Sequence, residues 1–267
     1  LKRHMDEVIY DAEHFFDGYK ANPGYAMKTL LAAQEGGADC LVLCDTNGGT
    51  LPQELETIIT QVKRRIMTPF GIHAHHDAEL AVANSLTAIR LGAAQVHGTV
   101  NGYGERCGNA NLCAIIPSLK LKMGIDCVPE AGLRKLREVS RYVDELANLP
   151  HRKWQAYVGD SAFAHKGGVH VDAVAKNPLT YEHIVPEQVG NRRRILVSDL
   201  AGKSNIIQKA SELGIGLTKD SPELHEILKR VKQLENEGFE FEGAEGSLEL
   251  LMLRARHSYE SVFNMFD

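Results

Sequence analysis

The sequence predicts an α/β protein: the C-terminal half of a (β/α)8 TIM barrel followed by a mainly helical linker subdomain. Three observations carry that prediction. Through residue 123, short apolar runs alternate with amphipathic helical stretches, in units of about 30 residues. Polar and glycine-rich residues fall after each apolar run and before each helix, on the rim where barrel active sites are built. Beyond Lys122 the strand–helix repeat stops and helical patterns take over. Four units make half of an eight-unit barrel, so four earlier strands are expected outside the sequence. An open doubly wound sheet is the alternative, and its ligands also sit at strand C-termini.

The first unit opens with residues 8–12 as a strand, then EHFFDGYKANP, then a helix that Asn22 caps and Pro23 begins. Met27, Leu30 and Leu31 share a face of that helix, and Gly36-Gly37 ends it. Residues 40–44 are apolar on both faces, as a buried parallel strand should be. They lead into DTNGGT, where Thr50 and Gln53 have capping-box spacing. Leu55, Ile58, Ile59, Val62 and Ile66 line the helix that follows. The third unit is PFGIHAHHD, with a helix expected from Ala78, which Asp77 can cap. The fourth is AQVHGTV, the loop NGYGERCGN and a helix to about Lys122 that Pro117 bends. Residues 129–148 read as a charged amphipathic helix. AYVGDSAFAHKGGVHVDAVAKNP is glycine-rich and loop-like, and helices are expected around 203–213, 220–236 and 246–256. The expected domains are residues 1–123 as the partial barrel, 124–150 as a connecting helix, and 151–267 as linker and helical subdomains.

An apolar share of 43% over 267 residues is ample for a buried core. A formal charge of −5 gives no sign of nucleic-acid or membrane binding. The one dense basic run, residues 191–194, reads as a solvated loop. Five cysteines form no C-x-x-C pair, which favours a reduced, cytoplasmic setting. No apolar stretch approaches the roughly 18–20 residues needed to span a bilayer, and no signal peptide is visible. The chain opens on Leu1 and moves almost at once into Val8-Ile9-Tyr10, which reads as a fold entered partway.

The chemistry centres on GIHAHHDAEL. His73 and His75 are two apart, so on a strand both imidazoles project from one face while Ile72 and Ala74 pack on the other. The helical H-E-x-x-H pattern, with ligands four apart, is physically different. A divalent ion needs a further oxygen ligand, and Asn109, on the neighbouring loop, can supply one. A lone strand-end histidine is ordinarily a hydrogen-bonded structural residue; two on one face at the rim point to a metal. Imidazole plus oxygen ligands suit Zn²⁺, Mn²⁺ or Mg²⁺. Glu13 ends the first strand, where a carboxylate either faces solvent or orients substrate and moves protons. Asp45 and Thr46 end the second strand, where a threonine hydroxyl can bind a carboxylate. The glycines of NGYGERCGN let backbone N–H groups approach a ligand or simply make turns.

Together these residues resemble the α-isopropylmalate, homocitrate and citramalate synthase family of the Asp-Arg-Glu metallolyase superfamily. HAHHDAELAVANSLTAIRLGAAQVHGTVNGYGERCGN, CDTNGGTLP and GDSAFAHKGGVHVDAV resemble three of its blocks, in the family's order. The resemblance implies condensation of acetyl-CoA with a 2-oxo acid on a divalent metal. It implies His73, His75 and Asn109 at the metal, and Thr46 at the oxo-acid carboxylate, with Asp45, Asn101 and Glu105 at the substrate as well. It implies Glu13, His170 and Tyr181 in catalysis, and a homodimer in which the subdomain carrying His170 reaches the partner's barrel. The namesake Asp-Arg-Glu run is absent, so a longer parent is expected to supply a metal-ligand aspartate and an arginine. A C-terminal regulatory domain is absent too, with HSYESVFNMFD leading toward it. Where some members have Gln after the linker histidine, this chain has Val171.

EHFFDGYK is similar to the citramalate-synthase version of its block, and Phe15 and Phe16 would suit a pocket for pyruvate's methyl group. Pyruvate is therefore the expected oxo acid, in isoleucine biosynthesis, with 2-isopropylmalate or homocitrate synthesis as the alternatives. A 3-hydroxy-3-methylglutaryl-CoA lyase would use Cys107, but the block GDSAFAHKGGVHVD has no place in such lyases. A non-catalytic dimerisation or amino-acid-sensing module is the reading from a different class.

Overall fold

A computed structural model describes residues 1–198 and 201–256. The run HSYESVFNMFD, expected to lead into a regulatory domain, lies outside the described residues. The chain divides into two compact units, residues 1–151 with 156–158 and residues 152–155 with 159–267.

The first unit is α/β. Its strands β1 (Ile9–Ala12), β2 (Cys40–Asp45), β3 (Phe70–Ala74) and β4 (Gln95–His97) form one all-parallel sheet in sequential order. A doubly wound sheet reverses its strand order at a switch point; this one does not. Between the strands lie α1 (Phe15–Ala21), α2 (Pro23–Glu35), α3 (Pro52–Lys63) and α4 (Ala81–Arg90). Asn22 caps α2 by accepting from Tyr25 N–H at 3.0 Å, with Pro23 in the first turn, as its sequence predicts. All six residues of β2 are buried, matching its apolar character on both faces.

Leu41, Leu43, Ile72 and Ala74 point from the sheet into a core filled by Phe16, Leu30, Leu55, Ile59 and Val62 of the helices. Within EHFFDGYKANP, Phe15–Ala21 form the helix α1, which the sequence pattern leaves unassigned. Phe15 and Phe16 meet edge to face at 5.7 Å inside that core, 3% and 0% exposed. They pack between sheet and helices as part of the core.

Two caps also differ from expectation. Pro52 begins α3, so Leu51 N–H donates to Glu54 at 3.1 Å and Thr50 is left to bind Asp45. α4 begins at Ala81 rather than Ala78, because Asp77 is held elsewhere and does not cap it. After β4, α5 (Leu112–Pro117) widens at Pro117 into one π-helical turn ending at Lys122. The charged stretch 129–148 forms two helices, α6 (Glu130–Leu133) and α7 (Leu136–Leu146), both in the first unit.

The second unit is mainly helical. β5 (Ala164–His165) pairs with β6 (Arg194–Ile195) in a two-stranded parallel sheet, and α8 (Gly168–Lys176) lies between them in sequence. The stretch 156–178 is thus partly helical, where its glycines suggested a loop. α9 (Lys203–Glu212), α10 (Glu223–Asn236) and α11 (Glu245–Ala255) enclose a separate core of Ile206, Leu224, Ile227, Val231, Leu248 and Met252. Among the described residues no helix is long and apolar enough to cross a membrane.

Candidate active site

β3 does what its alternation demands. Ile72 and Ala74 are fully buried in the helix-side core, and the imidazoles of His73 and His75 stand together on the opposite face, 5.2 Å between centroids. Parallel register sets Cys44, His73 and His97 in one row across β2, β3 and β4. His97 Nδ1 lies 3.4 Å from His73 Nδ1 and 3.9 Å from Asp11 Oδ1. Neither His97 nor Asp11 was singled out from the sequence. The signal was there in QVH, whose last residue falls on the His73 face once β3 and β4 pair.

Burial pushes the His73 pKa below its ordinary value, and the neighbouring His75 and His97 add to the shift. The uncharged imidazole is the form that ligates a metal. His75 Nδ1 is buried without a hydrogen-bond partner, an orphaned donor or acceptor of the kind an ion satisfies. Asn109 makes a bridge to His75 through the backbone, and its side-chain Nδ2 donates to the Tyr103 carbonyl at 3.2 Å. Two adjacent imidazoles and an amide oxygen fit a divalent cation in ligand type. They do not complete a site: among the described residues no group of three or more His, Cys, Asp or Glu side chains is arranged to hold one.

The rim loops position the remaining candidates. Thr46 Oγ1 accepts from His14 N–H at 2.8 Å, which leaves the hydroxyl proton for another acceptor. Glu13 is exposed directly after β1, and its charge, with that of Asp11, joins burial in pushing the Cys44 thiol up to about 12. Asp45 is 1% exposed and accepts from Thr50 Oγ at 2.8 Å and from Thr50 N–H. Burial raises its pKa, only partly offset by those two bonds. Asn101 is 2% exposed and donates to the Ser140 carbonyl at 2.8 Å and to Asp144 at 2.6 Å, both on α7. Asp45 and Asn101 thus have their side chains engaged within the protein, by Thr50 and by Ser140 and Asp144. Glu105 is exposed on the loop.

Within NGYGERCGN the glycines serve close packing. A Cβ on Gly104 would lie 1.9 Å from Asn109 Nδ2, and one on Gly108, where φ is +95°, 2.0 Å from the Gly102 carbonyl. Arg106, between them, was not singled out from the sequence. Its guanidinium donates from Nε and Nη2 to the two Asp77 oxygens, at 2.7 and 2.9 Å.

His170 and Tyr181 belong to the second unit. His170 sits in the first turn of α8, exposed, and stacks on Tyr181 at 4.1 Å between centroids. Next to Tyr181, Glu182 is 3% exposed and accepts two bonds of 2.6 Å from Arg193 and one of 3.0 Å from His165. That buried ion pair anchors the segment carrying Tyr181.

Residues 6–143 match the family described as HMGL-like, and residues 157–238 match the homocitrate synthase post-HMGL domain-like family. The (R)-citramalate synthase of Geobacter sulfurreducens is 61% identical over 265 residues, covering 99% of this chain and 50% of that protein. That of Aquifex aeolicus is 60% identical over 255 residues, covering 95% and 48%. A 2-isopropylmalate synthase of Methanocaldococcus jannaschii is 38% identical over 240 residues, covering 89% and 45%. The chain spans about half the length of the curated relatives it matches.

Proposed function

We propose, because the chain belongs to the HMGL-like family and is similar along nearly its whole length to (R)-citramalate synthases, that this protein condenses acetyl-CoA with pyruvate to give citramalate. The observation that carries the reading is the pair His73 and His75, side by side, with His75 Nδ1 buried and unpartnered and Asn109 bridged to His75. A divalent cation held by His73, His75 and Asn109 would polarise the oxo group as a Lewis acid. The metal's other ligand, and an arginine at the oxo group, belong to the part of such a protein that the chain does not cover. In the same reading β1 to β4 are four consecutive strands of an eight-stranded barrel, with residues 151–267 as the linker and helical subdomains.

The chain's own residues then have distinct tasks. Thr46 donates its hydroxyl proton to the pyruvate carboxylate, since its acceptor side already binds His14 N–H. His170 removes a proton from the acetyl methyl group, and its stacking on Tyr181 fixes the plane of the ring. Glu13 assists that transfer from the end of β1. The methyl carbon bonds to C2 of pyruvate as the carbonyl π bond opens, the oxyanion so formed takes up a proton, and water cleaves the thioester to release CoA as its thiol. The subdomain with His170 and Tyr181 is supplied by a second copy of the chain, in a homodimer with exchanged subdomains.

The test is acetyl-CoA-dependent thiol release by the natural protein carrying this sequence, with pyruvate, 2-oxoisovalerate and 2-oxoglutarate compared. Pyruvate is expected to be used best. Preference for 2-oxoisovalerate would assign 2-isopropylmalate synthesis instead, and no release with any of the three would end the synthase reading. His75→Ala should abolish turnover and lower bound metal measured by elemental analysis; retained metal would remove His75 from the site.

A further inference from the structure

We propose that Arg106 is a positioning residue for this reaction: one guanidinium, carried on the loop after β4, locks the loops after β2 and β3 into the arrangement that presents Thr46 and His75. The proposal rests on the condensation reading for its kinetic consequence and on geometry alone for the lock itself.

The geometry is a three-way grip. Besides its two bonds to Asp77, Arg106 Nη2 donates to the Thr46 carbonyl at 2.7 Å. The same three loops are tied by backbone bonds, from His76 N–H to the Gly108 carbonyl at 2.9 Å and from Ala78 N–H to the Gly48 carbonyl at 3.0 Å. Gly48, at φ +64°, is so close that a Cβ there would lie 2.5 Å from Asp77 Oδ2. Thr46 is thus held from two sides, its carbonyl by Arg106 and its hydroxyl by His14 N–H.

Stability does not account for this device. The Arg106 and Asp77 side chains are 43% and 24% exposed, and ion pairs so open to water add little to folding. Arg106 also takes φ +54°, an uncommon and strained backbone for a residue with a Cβ. A strained residue with so small a stabilising return is kept for where it holds its partners. Arginine suits the task because a planar fork reaches a carboxylate and a carbonyl together, whereas a lysine ammonium is a single point charge.

The test compares Arg106→Gly and Arg106→Lys in the natural protein. Glycine tolerates φ +54° but adds backbone freedom, whereas lysine keeps a Cβ at the same φ, so the loss common to both variants reports the missing guanidinium. In substrate-free Arg106→Gly, hydrogen exchange at the His76 and Ala78 amides should quicken about tenfold or more. KM for the oxo acid should rise with a smaller change in kcat, and kcat/KM should fall on the order of 10²-fold. Added methylguanidinium should restore part of both, and Arg106→Lys should resemble Arg106→Gly. Unchanged exchange at these amides, or full function in Arg106→Lys, would overturn the proposal. Should Arg106→Gly not fold, Asp77→Asn keeps the shape of the acceptor and is read at the same amides. Absence of CoA release by the unaltered protein would defeat the condensation reading while the exchange arm still decides the lock.

Discussion

Glu182 shows how a single buried charge governs a region. Burial alone would raise its pKa above 4.5, but hydrogen bonds from Arg193 and His165 outweigh that and hold it below. A carboxylate depressed in the folded state contributes stability that is complete above its unfolded value and is lost as pH falls through the folded value. The second unit should therefore hold its urea midpoint above about pH 4.5 and lose it steadily below. Glu182→Gln should flatten that dependence in a pH series of urea melts. Single residues also mark where sequence reasoning stops. His73 and His75 are legible because strand alternation is local. His97 and Arg106 are not, since the first needs the register of β3 on β4 and the second a partner 29 positions away.

The same division holds for elements. α2 and β2 lie where capping and periodicity put them, and α3 where its periodicity does though with a different cap, because Asn22, Pro23 and the apolar faces act within one or two turns. α1 is not legible because EHFFDGYKANP is short and ends at the cap of the next helix, whereas Phe15, Phe16 and Tyr19 gain a helix by burial in the core. Phe16→Ala should cost about 3–5 kcal/mol in denaturant titration, as large-to-small changes in a closed core do. The loop after β4 is equally constrained. Gly104→Ala would push its Cβ into the Asn109 amide. Metal affinity should then weaken by about 10–100-fold in competition with a chromophoric chelator, with the melting temperature little changed. Unchanged affinity would mean that Asn109 does not depend on Gly104 for its place.

At the scale of the molecule, two units with separate cores divide the candidate chemistry between them. His73 and His75 lie in the first, His170 and Tyr181 in the second. If subdomains are exchanged in a homodimer, His75→Ala and His170→Ala proteins should complement when mixed, because one site of each mixed dimer keeps both histidines. Activity should recover toward about a quarter of normal; no recovery would assign both histidines to one chain's site. The cysteines are divided too. Cys40, Cys44 and Cys113 are buried with raised pKa values, whereas Cys107 and Cys127 are exposed. Thiol reagents act on the thiolate, so alkylation discriminates sharply among them. With Cys127 replaced by serine, a maleimide dye will mark, among the cysteines of this chain, Cys107 next to Arg106, and its emission becomes a direct optical gauge of how tightly that loop is fastened.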